Sequence, residues 1–475
     1  MKTLKVDVAI IGAGTAGLAA YRAAKGAGAN ALIIEGGDYG TTCARVGCMP
    51  SKLLIAAADA AHAVGQAPFF GIHVDGGVRI SGREVMDRVR HERDRFVEFV
   101  RREVQDIAEA DRICGHARFA DDHTVVVADY MRVETQSTVI ATGSQSTQLD
   151  SFKAVGDRLI VSDDLFDWHD LPNSVAVVGM GIIALELAQA LHRLGVYVVV
   201  LGRGGRLGPI GDPDIRNYAI ATFNEEFTLA PDAHIELMGR EDDQAVIGYS
   251  GPNGTRETGY FDYVLAAAGR TPNLTGMDID KTTLEFDAKG ALSFDSTTAR
   301  TASTKPESPI FVAGDASNHI PLLHEAADEG RIAGENAARF ALGSKVIPRL
   351  RRAPLGVVFT DPQIAIVGGG FHALPPGAFA TGRASFEDQG RARIMLKNKG
   401  LLHVYGDLAS GDFLGAEMFA PAAEHLAHLL AWALQNKMTV AHLLQMPFYH
   451  PVVEEGLRSA LRALDGKLRH AHDRR

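Results

Sequence analysis

Two strand-glycine-helix crossovers and a late switch to alternating strands predict an α/β fold: two Rossmann-like dinucleotide-binding domains and a C-terminal α+β domain. The first crossover is an apolar run at residues 6–11 leading straight into Gly12-Ala13-Gly14-Thr15-Ala16-Gly17 and a helical stretch. The second repeats that order at residues 174–178 and Gly179-Met180-Gly181-Ile182-Ile183-Ala184. From about Pro348 the pattern becomes strand-like at residues 391–397, 401–407 and 413–419, then helical. At 475 residues the chain is too long for a single core.

In the first crossover Gly12 and Gly14 allow the tight turn and the close approach of a pyrophosphate, whose charge meets the helix N-terminus. Gly17 completes the spacing. A second strand, residues 31–34, ends in Glu35, twenty-three residues after Gly12. There a carboxylate can accept from both ribose hydroxyls.

The stretch Thr41-Thr42-Cys43-Ala44-Arg45-Val46-Gly47-Cys48-Met49-Pro50-Ser51-Lys52 holds two of the chain's three cysteines. An ideal helix separates residues five apart by about 7.5 Å along its axis. A disulfide tolerates roughly 4.4–6.8 Å between alpha carbons. If Cys43 and Cys48 pair, the segment must tighten, and Gly47 is where it can yield. On spacing alone the two read equally well as unrelated buried thiols. Structural zinc needs four ligands, and no further cysteine or close histidine cluster supplies them, so no metal is expected. Cys114, with no partner in the sequence, reads as a small core residue. Residues 53–64 and 83–107 read as helices, the second amphipathic and charged.

In the second crossover, counting twenty-three residues from Gly179 reaches Gly202, where an NAD-type site places its acid. No acid stands there, and Arg203 and Arg206 follow. That combination suits the 2′-phosphate of NADP, which a carboxylate would repel and a guanidinium can bind. The competing reading makes both arginines solvated loop residues of a site that takes NAD.

Composition excludes several classes. With 46% hydrophobic and 22% charged residues the chain is globular, and its formal net charge of −10 argues against nucleic-acid binding. The arginines at 349–352 and Arg474-Arg475 read as solvated surface. No uninterrupted run of about 18 apolar residues or signal-peptide pattern appears, so no membrane partner and a cytoplasmic location are expected. In a reducing compartment a paired Cys43 and Cys48 is more naturally catalytic than structural.

The order Cys43, Gly47, Cys48, Pro50, Ser51, Lys52 resembles the redox-active motif of the class I pyridine nucleotide-disulfide oxidoreductases, and the chain is most like their dihydrolipoamide dehydrogenase branch. Arg45 stands where that family usually has Asn. The resemblance continues at Thr138-Val139-Ile140-Ala141-Thr142-Gly143, at Gly269-Arg270-Thr271-Pro272-Asn273, at residues 309–315 with the acid Asp315, and at His324, Ala326, Glu329 and Gly330. It implies a redox disulfide between Cys43 and Cys48 beside FAD. Gly12, Gly14, Gly17, Glu35, Thr42, Lys52, Thr142, Gly143 and Asp315 would bind that flavin. It implies an NAD(P) site at Gly179, Gly181, Ala184, Arg203, Arg206 and Gly269. Lys52 and Glu186 match a Lys and Glu near the flavin. His450 and Glu455 match a terminal base pair that reaches the disulfide of the other subunit, although Val452 replaces the usual Thr. Gln363 stands where Glu is usual and puts one interface contact in question.

The implied organisation is an FAD domain in two parts, 1–147 and 275–346, around an NAD(P) domain at 148–274, with an interface domain at 347–475. The expected activity passes electrons between a dithiol such as dihydrolipoamide, the cysteine pair, FAD and NADP or NAD. A homodimer is expected, acting on a small dithiol or disulfide or on a lipoyl-bearing protein. The alternatives are an NADPH-dependent disulfide or quinone reductase and, from another class, a non-catalytic flavoprotein.

Overall fold

The computed structural model describes residues 1–147, 150–251 and 254–472. Arg474 and Arg475, expected at the surface, lie outside the described residues. The chain divides into two compact units, one of Met1–Pro50, Arg88–Thr147 and Gly269–Arg351, the other of Ser51–Asp87, Gln148–Ala268 and Arg352–Arg475.

In the first unit the strands end in apolar runs that are buried on both faces, as a parallel sheet requires. Ile310–Val312, Met131–Ile140, Lys2–Ile11, Ala31–Glu35 and Arg112–Cys114 lie side by side in that order, all parallel. The register sets Ile10 against Ile33 on one side and Val139 on the other, and Val312 against Ile140. An antiparallel hairpin, Ala117–Asp121 with Thr124–Val127, continues from Met131–Ile140. Helices Thr15–Gly26 and Leu323–Ala341 contribute Ala16, Ala20, Ala24, Ala333 and Ala337 to one buried cluster with Val8, Ile10 and Val139. Small side chains let the two helices approach closely.

The second unit holds a parallel sheet in the order Thr228–Ala230, Tyr197–Leu201, Ser174–Val178, Tyr263–Ala266, Leu159–Ile160. A three-stranded antiparallel sheet, Ile235–Glu241, Gln244–Ser250, Arg256–Phe261, and a five-stranded one, Leu355–Val358, Gln363–Val367, Phe413–Ala420, Leu401–Asp407, Phe379–Ser385, belong to the same unit. Leu457, Ala460, Leu461, Leu464 and Leu468 form the buried stripe of helix Glu454–His472 in the core of the five-stranded antiparallel sheet. Within this unit Glu417, 1% exposed, accepts the backbone N–H groups of Gly211 (2.9 Å) and Asp212 (2.7 Å). Asp212 in turn meets His403 Nδ1 at 2.7 Å and the Tyr405 hydroxyl at 3.1 Å. The buried charges are thus partnered, as burial demands.

Three expectations are corrected. Residues 391–397 are not a strand: Gly390–Ile394 is a helix, capped by the Gln389 side chain accepting from Ala392 N at 2.7 Å, and Phe379–Ser385 takes the sheet position. Cys114 is exposed, not core. Its neighbour Ile113 points inward, so strand alternation turns Cys114 outward, with the Tyr39 hydroxyl 3.3 Å away. The arginines at 349–352 are not simply solvated surface. Arg351 ion-pairs with the buried Glu325 and, at 3.1 Å, with the buried Glu329, while Arg349 pairs with Glu335.

One stretch, Thr42–Phe70, has the length and composition of a membrane span, its most apolar 18 residues reaching a mean hydropathy of 1.2. Lys52 and Asp59 interrupt it, and both are ion-paired within the second unit, to Glu186 and Arg193.

Candidate active site

The cysteine segment is built by two abutting helices. The Thr41 hydroxyl caps the first by accepting from Ala44 N at 3.2 Å, and Thr42–Val46 follows. Gly47, with φ −126° and ψ −120°, ends it, and the next helix, Cys48–Gln66, starts at the second cysteine. A Cβ on Gly47 would stand 2.9 Å from Thr42 O and 3.1 Å from Cys43 Cα, so a larger residue would push the two turns apart. The segment is therefore tightened at Gly47. Cys43 and Cys48 are free thiols hydrogen-bonded to each other, Cys43 half-buried and Cys48 exposed.

The hydrogen bond to Cys48, then burial, push the Cys43 thiol well above the usual cysteine range, against the backbone N–H groups of Cys48 and Met49 at the helix start. Removing the largest cause should bring it down. In Cys48→Ala the pH midpoint for alkylation of Cys43 is expected to fall relative to the reduced wild type, measured as iodoacetamide rate against pH. An unchanged midpoint would contradict the hydrogen bond.

Thr42 is exposed at the start of the first helix. The rest of the first crossover has the shape of a dinucleotide cradle. A Cβ on Gly12 (φ +107°) would lie 2.3 Å from Ala141 O, and one on Gly17 would lie 1.8 Å from Gly12 O, whereas Gly14 faces open space. Helix Thr15–Gly26 has no side-chain cap, which leaves its N–H groups for an anion. Glu35 accepts from Ala13 N at 2.7 Å and Gly37 N at 2.9 Å, so it lies across the turn. Thr142 Oγ1 is buried without a hydrogen-bond partner, and Gly143 follows with φ +69°. Asp315 accepts from the Ser144 hydroxyl at 2.7 Å, itself held by Arg270 Nε at 2.9 Å. An orphaned hydroxyl, an uncapped helix and an open Gly14 fit FAD.

The second crossover repeats the geometry. A Cβ on Gly179 (φ +137°) would lie 2.2 Å from Ala267 O, Gly181 faces open space, Ala184 is fully buried, and helix Ile182–Arg193 has no side-chain cap. At Gly202 a Cβ would stand 2.2 Å from Met180 Cγ, so Met180 fills the space an acid would need. Asp232 accepts from Gly204 N at 2.8 Å and shapes the following turn. Arg203 and Arg206 are exposed and pair with no carboxylate among the described residues. Gly269 lies in the first unit, its carbonyl accepting from Thr147 N at 3.0 Å.

Lys52, on the helix that begins at Cys48, holds Glu186 at 2.7 Å, and Glu186 is 4% exposed. Glu186 also accepts from Phe359 N at 2.9 Å, a contact the sequence reading missed. Gln363 Oε1 accepts from Glu424 N at 3.0 Å, so the amide caps helix Ala423–Gln435 in place of an acid. His450 Nδ1 stands 3.1 Å from both oxygens of Glu455. That hydrogen bond holds Glu455 below the usual carboxylate range. A carboxylate only accepts, so Nδ1 carries the proton and Nε2 of the exposed His450 is left as a base.

Two dinucleotide crossovers, a thiol pair and a carboxylate-oriented histidine define a redox protein that couples dithiol chemistry to two nucleotide cofactors. The chain belongs to the pyridine nucleotide-disulphide oxidoreductase family, whose model matches residues 6–330, and the family's dimerisation domain matches residues 355–461. It is 30% identical to the dihydrolipoyl dehydrogenase of Haloferax volcanii, covering 98% of each chain. It is likewise 30% identical to the mercuric reductase of Acidithiobacillus ferrooxidans over 96% of this chain and 82% of that protein. Among solved structures, LpdA from Mycobacterium tuberculosis matches with a TM-score of 0.81 at 25% identity, over 97% of this chain and 99% of that one. The Escherichia coli flavoprotein disulfide reductase RclA shares the fold, with a TM-score of 0.77 at 20% identity over 97% and 99% of the two chains. The protein is an FAD-dependent pyridine nucleotide-disulfide oxidoreductase of the dihydrolipoyl dehydrogenase type, using FAD and NAD(P).

Proposed function

We propose that the enzyme exchanges electrons between a small dithiol or disulfide, free or as a protein-bound lipoyl group, and NADP(H). The observation that carries this is the Cys43 and Cys48 thiol pair brought within hydrogen-bonding reach across Gly47. Starting from the oxidised pair, His450 Nε2 takes the proton of one substrate thiol. The resulting thiolate attacks Cys43 Sγ, the Cys43–Cys48 bond breaks, and Cys48 leaves as a thiolate. The second substrate thiol, deprotonated in turn, displaces Cys43 from the mixed disulfide, and the substrate departs oxidised. The cysteine pair then holds two electrons as the dithiol. FAD, when bound, supplies the two-electron chemistry that carries them to the nicotinamide.

Lys52 and Glu186 serve as a charge pair beside the flavin. His450 acts on the thiol pair of a second copy of the chain, a reading supported by its exposure and by the dimerisation domain. The segments 1–147, 148–274, 275–346 and 347–475 divide the work as flavin, nicotinamide, flavin and interface regions. The location that fits this chemistry is the cytoplasm, with neither nucleic acid nor membrane as a partner.

The missing acid at Gly202 and the unpaired Arg203 and Arg206 also favour a second reading, in which NADPH drives disulfide reduction. A panel of lipoamide, dihydrolipoamide and glutathione disulfide, each with both coenzymes, separates the two; no turnover of any of them would overturn both. Coenzyme choice is tested separately. One partly desolvated guanidinium-phosphate contact is worth about 1.4 kcal/mol, so NADP(H) is expected to be preferred roughly tenfold. Arg203→Glu should reverse that ratio of kcat/KM values. A wild-type preference for NAD(H), unchanged by the substitution, would make the arginine bystander surface.

A further inference from the structure

Within the second unit, three side chains on one face of helix Ile182–Arg193 grip a single short segment. Glu186 accepts from Phe359 N. Gln189 donates to Asp361 O at 2.9 Å and accepts from Asp361 N at 2.8 Å. Arg193, 4% exposed, reaches Asp361 O and Asp361 Oδ2, each at 3.2 Å. Spacings of three and four residues put the three on one face, so the segment's main chain is fixed at both ends. The Phe359 ring is held with it, and Lys52 Nζ lies 4.6 Å from the ring centroid while bonding Glu186 at 2.7 Å. Phe359 therefore touches both members of the ion pair, the acid through its N–H and the cation through its ring.

We infer that Phe359 is a positioning residue: it fixes where the Lys52 charge sits, and thereby how strongly that charge favours reduction of the bound flavin. This rests on the reading of Lys52 and Glu186 as the charge pair beside the flavin. An ammonium on an aromatic face is held by the ring quadrupole. Leucine in place of Phe359 keeps the N–H to Glu186 and removes only the ring, which frees the Lys52 stem to swing towards water.

The test is a cycle of holoenzymes, wild type, Phe359→Leu, Lys52→Met and the double variant, with Phe359→Tyr as the conservative rescue. The readout is the two-electron midpoint potential of bound flavin against a reference dye. Phe359→Leu is expected to weaken reduction roughly threefold to tenfold, about 15–30 mV at about 29.6 mV per decade. Phe359→Tyr is expected to restore the wild-type potential, and Phe359→Leu is expected to add nothing once Lys52 is methionine. An equal shift in both lysine and methionine backgrounds, or no shift where Lys52→Met gives one, overturns the inference. If Lys52→Met itself leaves the potential unchanged, the reading of the ion pair fails and the inference falls with it. Should Phe359→Leu not fold with flavin, Phe359→Met enters the same cycle.

Discussion

Replacing Cys43 with serine is expected to abolish dithiol oxidation and disulfide reduction, lowering turnover by roughly three orders of magnitude or more. The reason is chemical: serine offers no sulfur for a substrate thiolate to attack, and its oxygen cannot form the mixed disulfide. Flavin reduction by NADPH should continue in this variant, because the crossover glycines, Lys52 and Glu186 are untouched. Cys48→Ser should fail at a different point, leaving Cys43 open to alkylation but unable to close the pair. Turnover near the wild-type rate in both variants would mean that the thiols are not the electron path. Full dithiol activity in Cys43→Ser would remove the cysteine from the reaction altogether.

The second large effect is expected at His450. In His450→Gln, dithiol turnover should fall by roughly two to four orders of magnitude, the usual contribution of a positioned general base. The flavin's reduction by nicotinamide alone should be unaffected. Glu455→Gln should cost less, roughly tenfold to a hundredfold, because the amide still holds the ring but no longer stabilises the imidazolium. The hydrogen bond to His450 depresses the Glu455 carboxyl, so the carboxylate persists at neutral pH and is lost only as pH falls below the usual carboxylate range. An acid limb in the pH profile traceable to Glu455 is therefore expected there and should vanish in Glu455→Gln. A His450→Gln enzyme with wild-type dithiol turnover would assign the base elsewhere.

Both crossovers were legible in the sequence because steric exclusion leaves glycine no substitute where a backbone oxygen stands about 2 Å from a would-be Cβ, as at Gly12 and Gly179. The tightening at Gly47 was legible because glycine is the residue at which a chain yields most readily. The helix at Gly390–Ile394 was misread because its basic residues alternate with apolar ones as in a strand. The signal that wins is the three-residue spacing of Ala392 and Met395, both on the core of that domain. Cys114 was misplaced through its residue type, when the parity of Ile113 already decided which face it takes. Arg351 and Phe359 were out of reach of local pattern. Their partners, Glu325 and Glu329 for one and Lys52 and Glu186 for the other, lie far along the chain, and only the fold brings them together.

The claim that electrons pass through Cys43 and Cys48 is tested most directly by counting alkylatable cysteines in the native holoenzyme before and after anaerobic addition of NADPH. As isolated in air, the enzyme should label at Cys114 alone of its three cysteines, because the oxidised form is expected to hold Cys43 and Cys48 as a disulfide. After NADPH, peptide mass spectrometry should find Cys43 and Cys48 both newly labelled. Equal labelling of Cys43 and Cys48 before and after, with NADPH still being oxidised, would contradict the account.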